Sequence, residues 1–249
     1  MIGVRIGITE RGDASIDYGW EEKLNTVDGA VLITKNVTDE FISRTLPVKD
    51  KVILHATITG FGGSVLEPNV MPAEMSMEQL KALMELGFPA THIVVRVDPI
   101  IPTARGLGKA KKVIAMGANI GITRFRISVL DMYLHVKERF RNAGLDYPYG
   151  SRFSATDRQM ADVDVMLKNV LAEFPSISIE CCAEPRLKVP KHTGCIGPKD
   201  FALLGLNAPR EETGRKQRAE CLCSSCKTEL LTNKCRCPNG CLYCYWVDK

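Results

Sequence analysis

Up to residue 180, short β-branched apolar runs alternate with longer stretches whose apolar residues recur at helical spacing. Val4–Thr9, Ala30–Thr34, Lys51–Thr59, His92–Val97, Arg124–Leu130 and Ser176–Cys181 read as strands. Gly19–Leu24, Thr38–Thr45, Ser76–Leu86, Ala104–Met116 and Asp157–Phe174 read as helices between them. Ser76 offers a hydroxyl to cap its helix, and Leu80, Leu83, Met84 and Leu86 supply an apolar face. Such alternation predicts a parallel sheet of right-handed βαβ units. Six units suit an open doubly wound sheet or a six-stranded partial barrel. No G-x-G-x-x-G turn follows the first strand, which argues against the dinucleotide-binding form. The pattern expects an α/β body over residues 1–206, with the segment 207–249 as an appendage covering one end.

Polar residues gather where these strands end. Glu10, Arg11 and Asp13 follow the first strand; Lys35 and Asn36 follow the second. Thr59, Gly60, Gly62, Gly63, Glu67 and Asn69 follow the third. Arg96 and Asp98, Ser128 and Asp131, and Glu180 and Glu184 belong to the last three. Parallel α/β folds build active sites at the carboxyl ends of strands, although solvated loops are polar as well. Arg96 and Asp98 would either close the mouth as an ion pair or present a guanidinium to a ligand carboxylate. His55 and His92 fall on strands as core groups, and the four histidines, with His135 and His192, show no metal-ligand spacing. Lys109, Lys111 and Lys112 read as a solvated helix face, and Gly205–Arg218 as a loop.

Composition narrows the class. The 249 residues allow one large α/β domain or two small ones, and 45% hydrophobic with 25% charged residues is ordinary for a globular chain. A net charge of +4 suits an anionic partner without demanding one. The N-terminus is too short and glycine-interrupted for a signal peptide, and no apolar run would span a membrane, so the expected location is cytoplasmic. Of ten cysteines, none precedes Cys181 and seven fall between Cys221 and Cys244. That crowding at one end reads as metal binding rather than a disulfide framework.

Thiolates select iron–sulfur clusters, zinc or copper(I). Cys223-x2-Cys226 with Cys235-x-Cys237 would suit a structural zinc ion. Cys237, Cys241 and Cys244 have C-x3-C-x2-C spacing, which suits three irons of a cubane and leaves the fourth open. Gly240 permits the tight wrap, and Tyr243 would shield the cluster.

Cys237-Pro-Asn-Gly-Cys241-Leu-Tyr-Cys244 resembles the signature of the radical S-adenosylmethionine superfamily. Thr9–Ser15, Leu32–Asn36, Thr57–Asn69, Val95–Ile100, Cys182-Ala-Glu, Gly194-Cys195-Ile, Cys221-Leu-Cys223 and the terminal motif resemble a bacterial family, domain of unknown function 1848. The superfamily resemblance implies a [4Fe–4S] cluster on Cys237, Cys241 and Cys244, with S-adenosylmethionine on the open iron and a 5′-deoxyadenosyl radical that abstracts hydrogen. It also implies an α/β fold in the form of a six-unit (β/α) partial TIM-type barrel over residues 1–206, with a cysteine-rich iron–sulfur tail over 207–249 packed over its mouth, and a reductant such as flavodoxin or ferredoxin. The chain departs from the superfamily because its motif follows the last strand rather than the first, and Gly62-Gly-Ser-Val-Leu-Glu67-Pro is only a loose echo of the usual Gly-Gly-Glu-Pro motif.

Within this reading Arg96, Asp98 and Glu67 are the candidate catalytic residues, and Arg11, Asp13, Lys35, Thr59 and Asn69 the candidate cofactor-binding ones. Cys182, Cys195, Cys221 and Cys223 would hold an auxiliary [4Fe–4S] cluster or zinc, or pack as buried thiols. Cys181, Cys226 and Cys235 have no assigned role. Cys241-Leu-Tyr-Cys-Tyr245 is similar to a stretch of spore photoproduct lyase, a superfamily member acting on thymine in DNA, so the substrate would be a small molecule, a nucleobase or DNA. The alternative is a zinc-stabilised α/β module that binds nucleic acid or protein without catalysis.

Overall fold

Eight parallel strands form one sheet in the computed structural model, which describes residues 4–208, 222–223, 226–231 and 237–246. They are β1 (Ile6–Ile8), β2 (Gly29–Thr34), β3 (Val52–Thr57), β4 (Ile93–Ile100), β5 (Arg124–Val129), β6 (Ser178–Cys181), β7 (Lys191–His192) and β8 (Lys227–Glu229). The order across the sheet is β7-β6-β5-β4-β3-β2-β1-β8. Parallel neighbours require crossovers, and helices supply most of them. These are α1 (Trp20–Lys23), α2 (Asp39–Thr45), α3 (Ala73–Glu85), α4 (Ala104–Asn119), α5 (Leu134–Asn142) and α6 (Asp157–Glu173); α7 (Pro198–Leu203) follows β7. Among the described residues no helix is long and apolar enough to cross a membrane.

The parallel α/β class is as expected, but the sheet has eight strands rather than six. The two additions are its edges, β7 and β8, two and three residues long, with no apolar run to mark them. β8 lies within 207–249, so part of that segment is hydrogen-bonded into the sheet beside β1. α5 escaped prediction because it buries only Val136 and Phe140 and leaves Leu134 exposed. Ser76 does not cap α3. The helix begins after Pro72, and Ser76 lies buried inside it with its hydroxyl bonded to the Pro72 carbonyl. Thr38, Thr103 and Thr156 do cap α2, α4 and α6, the last through a capping box with Gln159.

Residue parity sorts the sheet into two faces. Leu32, Leu54, Val95, Val97, Phe125, Ile127 and Ile179 belong to the large core shared with the helices. Their alternates Ile6, Ile8, Val31, Ile53 and Val94 form a second apolar cluster with Ile196, just before α7, and Phe201 of α7. Burying each such side chain contributes about 1.5–3 kcal/mol. The second face then turns polar. Arg124 donates to Asp200 of α7 at 2.6 Å, and Arg126 donates to Glu180 at 2.6 Å. Asp200 is 0% exposed, so its pairing with Arg124 is desolvated on both sides.

Removing one member of such a pair strands a buried charge. Asp200→Ala is expected to lower unfolding stability by about 3–5 kcal/mol in denaturant titration. Glu85→Ala, which breaks the exposed Lys81–Glu85 pair, is expected to change it by less than about 1 kcal/mol.

Candidate metal centre and cleft

The polar end of the second face opens into a cleft of about 280 Å³. Its wall includes residues near or just past the carboxyl ends of six neighbouring strands: Glu10, Lys35, Thr57, Asp98, Ser128 and Cys182. Thr57, Arg96, Arg126 and Glu180 lie side by side in register across β3 to β6. Two guanidiniums on adjacent strands repel unless each is paired. Arg96 is hydrogen-bonded to Asp98, which also accepts from Ser128, while Arg126 bonds Glu180 and the Cys195 carbonyl, the latter at 2.7 Å. Burial alone would lower the Arg96 guanidinium, but Asp98, Cys195 and Glu10 outweigh it and hold the group charged.

The segment 237–246 packs across the cleft. Asn239 donates to Asp13 at 2.8 Å, Asn69 donates to the Pro238 carbonyl at 2.7 Å, and Leu242 N–H donates to the Leu66 carbonyl at 3.0 Å. Gly240 has φ +64°, a left-handed turn that favours glycine. Tyr243 is buried and its hydroxyl donates to Glu67, which also accepts from Lys35 and Thr59, each at 2.6 Å. Burial raises the Tyr243 phenol well above its usual value, with Glu67 adding to it. Burial opposes the charge on Lys35, yet Glu67 and Cys241 bring the net direction upward. The result is a neutral phenol and an ammonium held against one carboxylate. Gly62 sustains the loop bearing Glu67: a Cβ there would lie 2.1 Å from the Met71 carbonyl oxygen.

Cys237, Cys241 and Cys244 all line the cleft. Burial pushes the Cys241 thiol up to about 12, with Lys35 opposing and Glu67, Cys244 and Cys237 adding to it. Cys182, Cys195 and Cys223 also line the cleft, and their sulfurs lie within 4.8 Å of one another. Among the described residues this is the one group of three potential ligands gathered so tightly. Hydrogen bonds from Cys182 and Cys223 hold the Cys195 thiol well below its usual value, with Arg96 and Arg126 assisting. Cys182 is correspondingly raised by its bond to Cys195.

A family model described as a domain of unknown function, DUF1848, matches residues 18–246. The chain belongs to the DUF1848 family. Of the resembling stretches only Thr9–Ser15 lies outside the matched range. No curated protein sequence matches the chain. Among solved structures, a mutant O-GlcNAc hydrolase from Thermobaculum terrenum matches at 11% identity and TM-score 0.38, over 82% of this chain and 46% of its own. The chain thus spans less than half of that hydrolase, and so weak a likeness carries no argument about either molecule.

In this DUF1848 chain Arg96, Asp98, Asp13, Lys35 and all six cysteines of the two described groups reach the cleft. Glu67 and Thr59 do not line it; they stand buried behind Lys35 and Tyr243. Asp13 is occupied with protein, accepting from Ser15, Thr34, Lys35 N–H and Asn239. Asn69 is exposed and clasps the terminal segment, and Arg11 is exposed at the rim. Cys221, Cys235 and residues 209–218 of the predicted loop lie outside the described residues. Cys226 sits at the β8 edge, where its carbonyl accepts from Ile6 N–H at 3.1 Å. Cys181 faces the helix-side core.

Two features escaped the sequence reading. Glu10 pairs with Lys227 of β8 at 2.9 Å, a contact that depends on a strand with no visible pattern. Arg126, opposite Arg96, was detectable as a charge on the inward parity of a buried strand.

His55 is fully buried on the same face, with neither ring nitrogen hydrogen-bonded. Burial, with Arg126, Arg96 and Arg124 nearby, pushes its imidazole well below 6.5. The unfolded chain therefore takes up this proton before the folded one. Stability is expected to fall as pH drops below about 6.5, by up to about 1.4 kcal/mol per unit from this residue. His55→Leu should remove one proton's worth of that slope, read by denaturant titrations between pH 5 and 7.5. An unchanged slope would refute the assignment.

Proposed function

We propose that the chain is a radical S-adenosylmethionine-type enzyme whose cluster is held by Cys237, Cys241 and Cys244. The observation that carries this reading is that all three thiols, from one short loop, face a single cleft with Lys35, Arg96 and Asp98. The donor set fits the group. Three soft ligands share one loop, Gly240 supplies its turn, and Lys35 places a positive charge near Cys241. When bound with S-adenosylmethionine and reduced by a partner such as flavodoxin or ferredoxin, the cluster supplies a 5′-deoxyadenosyl radical for hydrogen abstraction.

The chain's own residues do the rest. Glu67 positions Lys35 and Tyr243, and through Tyr243 the cysteine loop itself. Asp98, braced by Arg96 and Ser128, presents a fixed carboxylate to the cleft. The terminal segment covers the cleft and restricts water, leaving orientation and exclusion to the protein. The sheet in this reading is a partial TIM-type barrel with the segment over its mouth, and the protein is cytoplasmic. The substrate is a small molecule or nucleobase suited to a cleft of about 280 Å³; DNA would enter only as an extruded base.

A second reading, the zinc-stabilised binding module, is favoured by the tight grouping of Cys182, Cys195 and Cys223. It expects a colourless protein that keeps its metal in air. The enzyme reading expects a brown protein that bleaches in oxygen. Anaerobic reconstitution with iron and sulfide, then dithionite and S-adenosylmethionine, should yield 5′-deoxyadenosine. Cys241→Ala should abolish it. Stoichiometric zinc with no cluster absorption would sink the proposal.

A further inference from the structure

Cys182 and Cys195 have sulfurs 3.7 Å apart, and Cys223 completes a set within 4.8 Å. Tetrahedral zinc with bonds of about 2.3 Å places its sulfur ligands about 3.8 Å apart. In a cubane each thiolate takes its own iron, so the cysteine sulfurs stand further apart than when they share one ion. The spacing therefore selects one ion over a cluster.

The backbone is arranged for this approach. A Cβ on Gly194 would lie 2.6 Å from the Cys223 Cα, so glycine lets the segments carrying Cys195 and Cys223 meet. The Cys195 N–H donates to the Cys223 sulfur at 3.1 Å, a bond that favours a charged thiolate. Ala183, directly after Cys182, holds φ +55°, uncommon for a residue with a Cβ. Arg96 and Arg126 supply positive charge toward Cys195 from below. A divalent ion with three thiolates has net charge −1, a sign that the nearby guanidiniums favour even while each is paired with a carboxylate.

We infer that Cys182, Cys195 and Cys223 form a mononuclear, thiolate-rich divalent metal centre whose fourth coordination position opens into the cleft and takes an exchangeable ligand. All three cysteines line the cleft, together with Glu10, whose carboxyl lies against Cys195. A water or a small thiol at that position would be within the field of both the ion and Glu10. Structural zinc sites are closed by four protein ligands, whereas sites that work on ligands keep one position free. This inference stands independently of the terminal cysteine loop.

Cobalt(II) reports both geometry and exchange. The full-length chain with Cys237, Cys241 and Cys244 all changed to serine, freed of metal and held reduced by a phosphine, should bind one cobalt with the intense visible bands of a tetrahedral thiolate site. Adding 2-mercaptoethanol should shift those bands, a test that needs no further variant. In the same background Cys195→Ser should weaken cobalt binding by more than about 10-fold. Three results would each overturn the inference: bands indifferent to the thiol, cobalt binding that survives Cys195→Ser, or iron reconstitution of a four-iron cluster in a chain whose terminal three cysteines are all serine. Loss of the bands in Cys221→Ser would also overturn it, because that residue would then close the site.

Discussion

Arg126 is where the sheet, α7 and the cleft are joined. Its guanidinium bonds Glu180 on the next strand and the Cys195 carbonyl, and lies 4.0 Å from Asp200 of α7. Arg124, one inward position earlier, completes the contact with Asp200. A charge in this setting is tolerated only when every partner is in place, because attraction must repay desolvation. That requirement ties the position of α7, the path of the chain through Cys195 and the orientation of the second face to one another. The cysteine group on the cleft wall inherits its geometry from that constraint.

On the opposite side a single carboxylate plays a comparable part. Glu67 gathers Lys35, Thr59 and Tyr243, and thereby couples β2, the loop after β3 and the terminal segment. Asp13 does likewise for the loop after β1, β2 and Asn239. Both acids are buried and multiply hydrogen-bonded. Both tie the cysteine loop to the sheet, Glu67 from behind the cleft wall and Asp13 from the cleft lining itself. The polar groups on the cleft include Arg96, Asp98, Ser128, Glu10, Lys35 and the two cysteine sets. Two groups of thiols line this one small cleft, and the tight one, Cys182, Cys195 and Cys223, could hold a metal ion.

Much of this was legible from residue order. Period-two alternation in β2 through β6 separates Leu54 from His55 and Val95 from Arg96, and the polar member marks the face that carries the site. The C-x3-C-x2-C loop was visible because its ligands are neighbours in sequence. Glu67 was picked out as a site residue, yet its burial behind Lys35 was not visible, since nothing local says which way a loop carboxylate turns. β7 and β8 were invisible for a related reason: strands of two and three residues form only because the sheet edges offer them partners.

Local pattern and composition were thus enough for the α/β class, the main strands and the expectation of thiolate chemistry. Such features arise from side-chain periodicity and ligand type, which a linear chain displays directly. The grouping of Cys182, Cys195 and Cys223 was expected from the family-like stretches that carry them, but their sulfur spacing, the Glu10–Lys227 pair and the shared cleft came only with the folded chain. Each joins residues far apart in sequence, and their distances follow from strand register and from buried charges that must find their partners, neither of which a local stretch of sequence encodes.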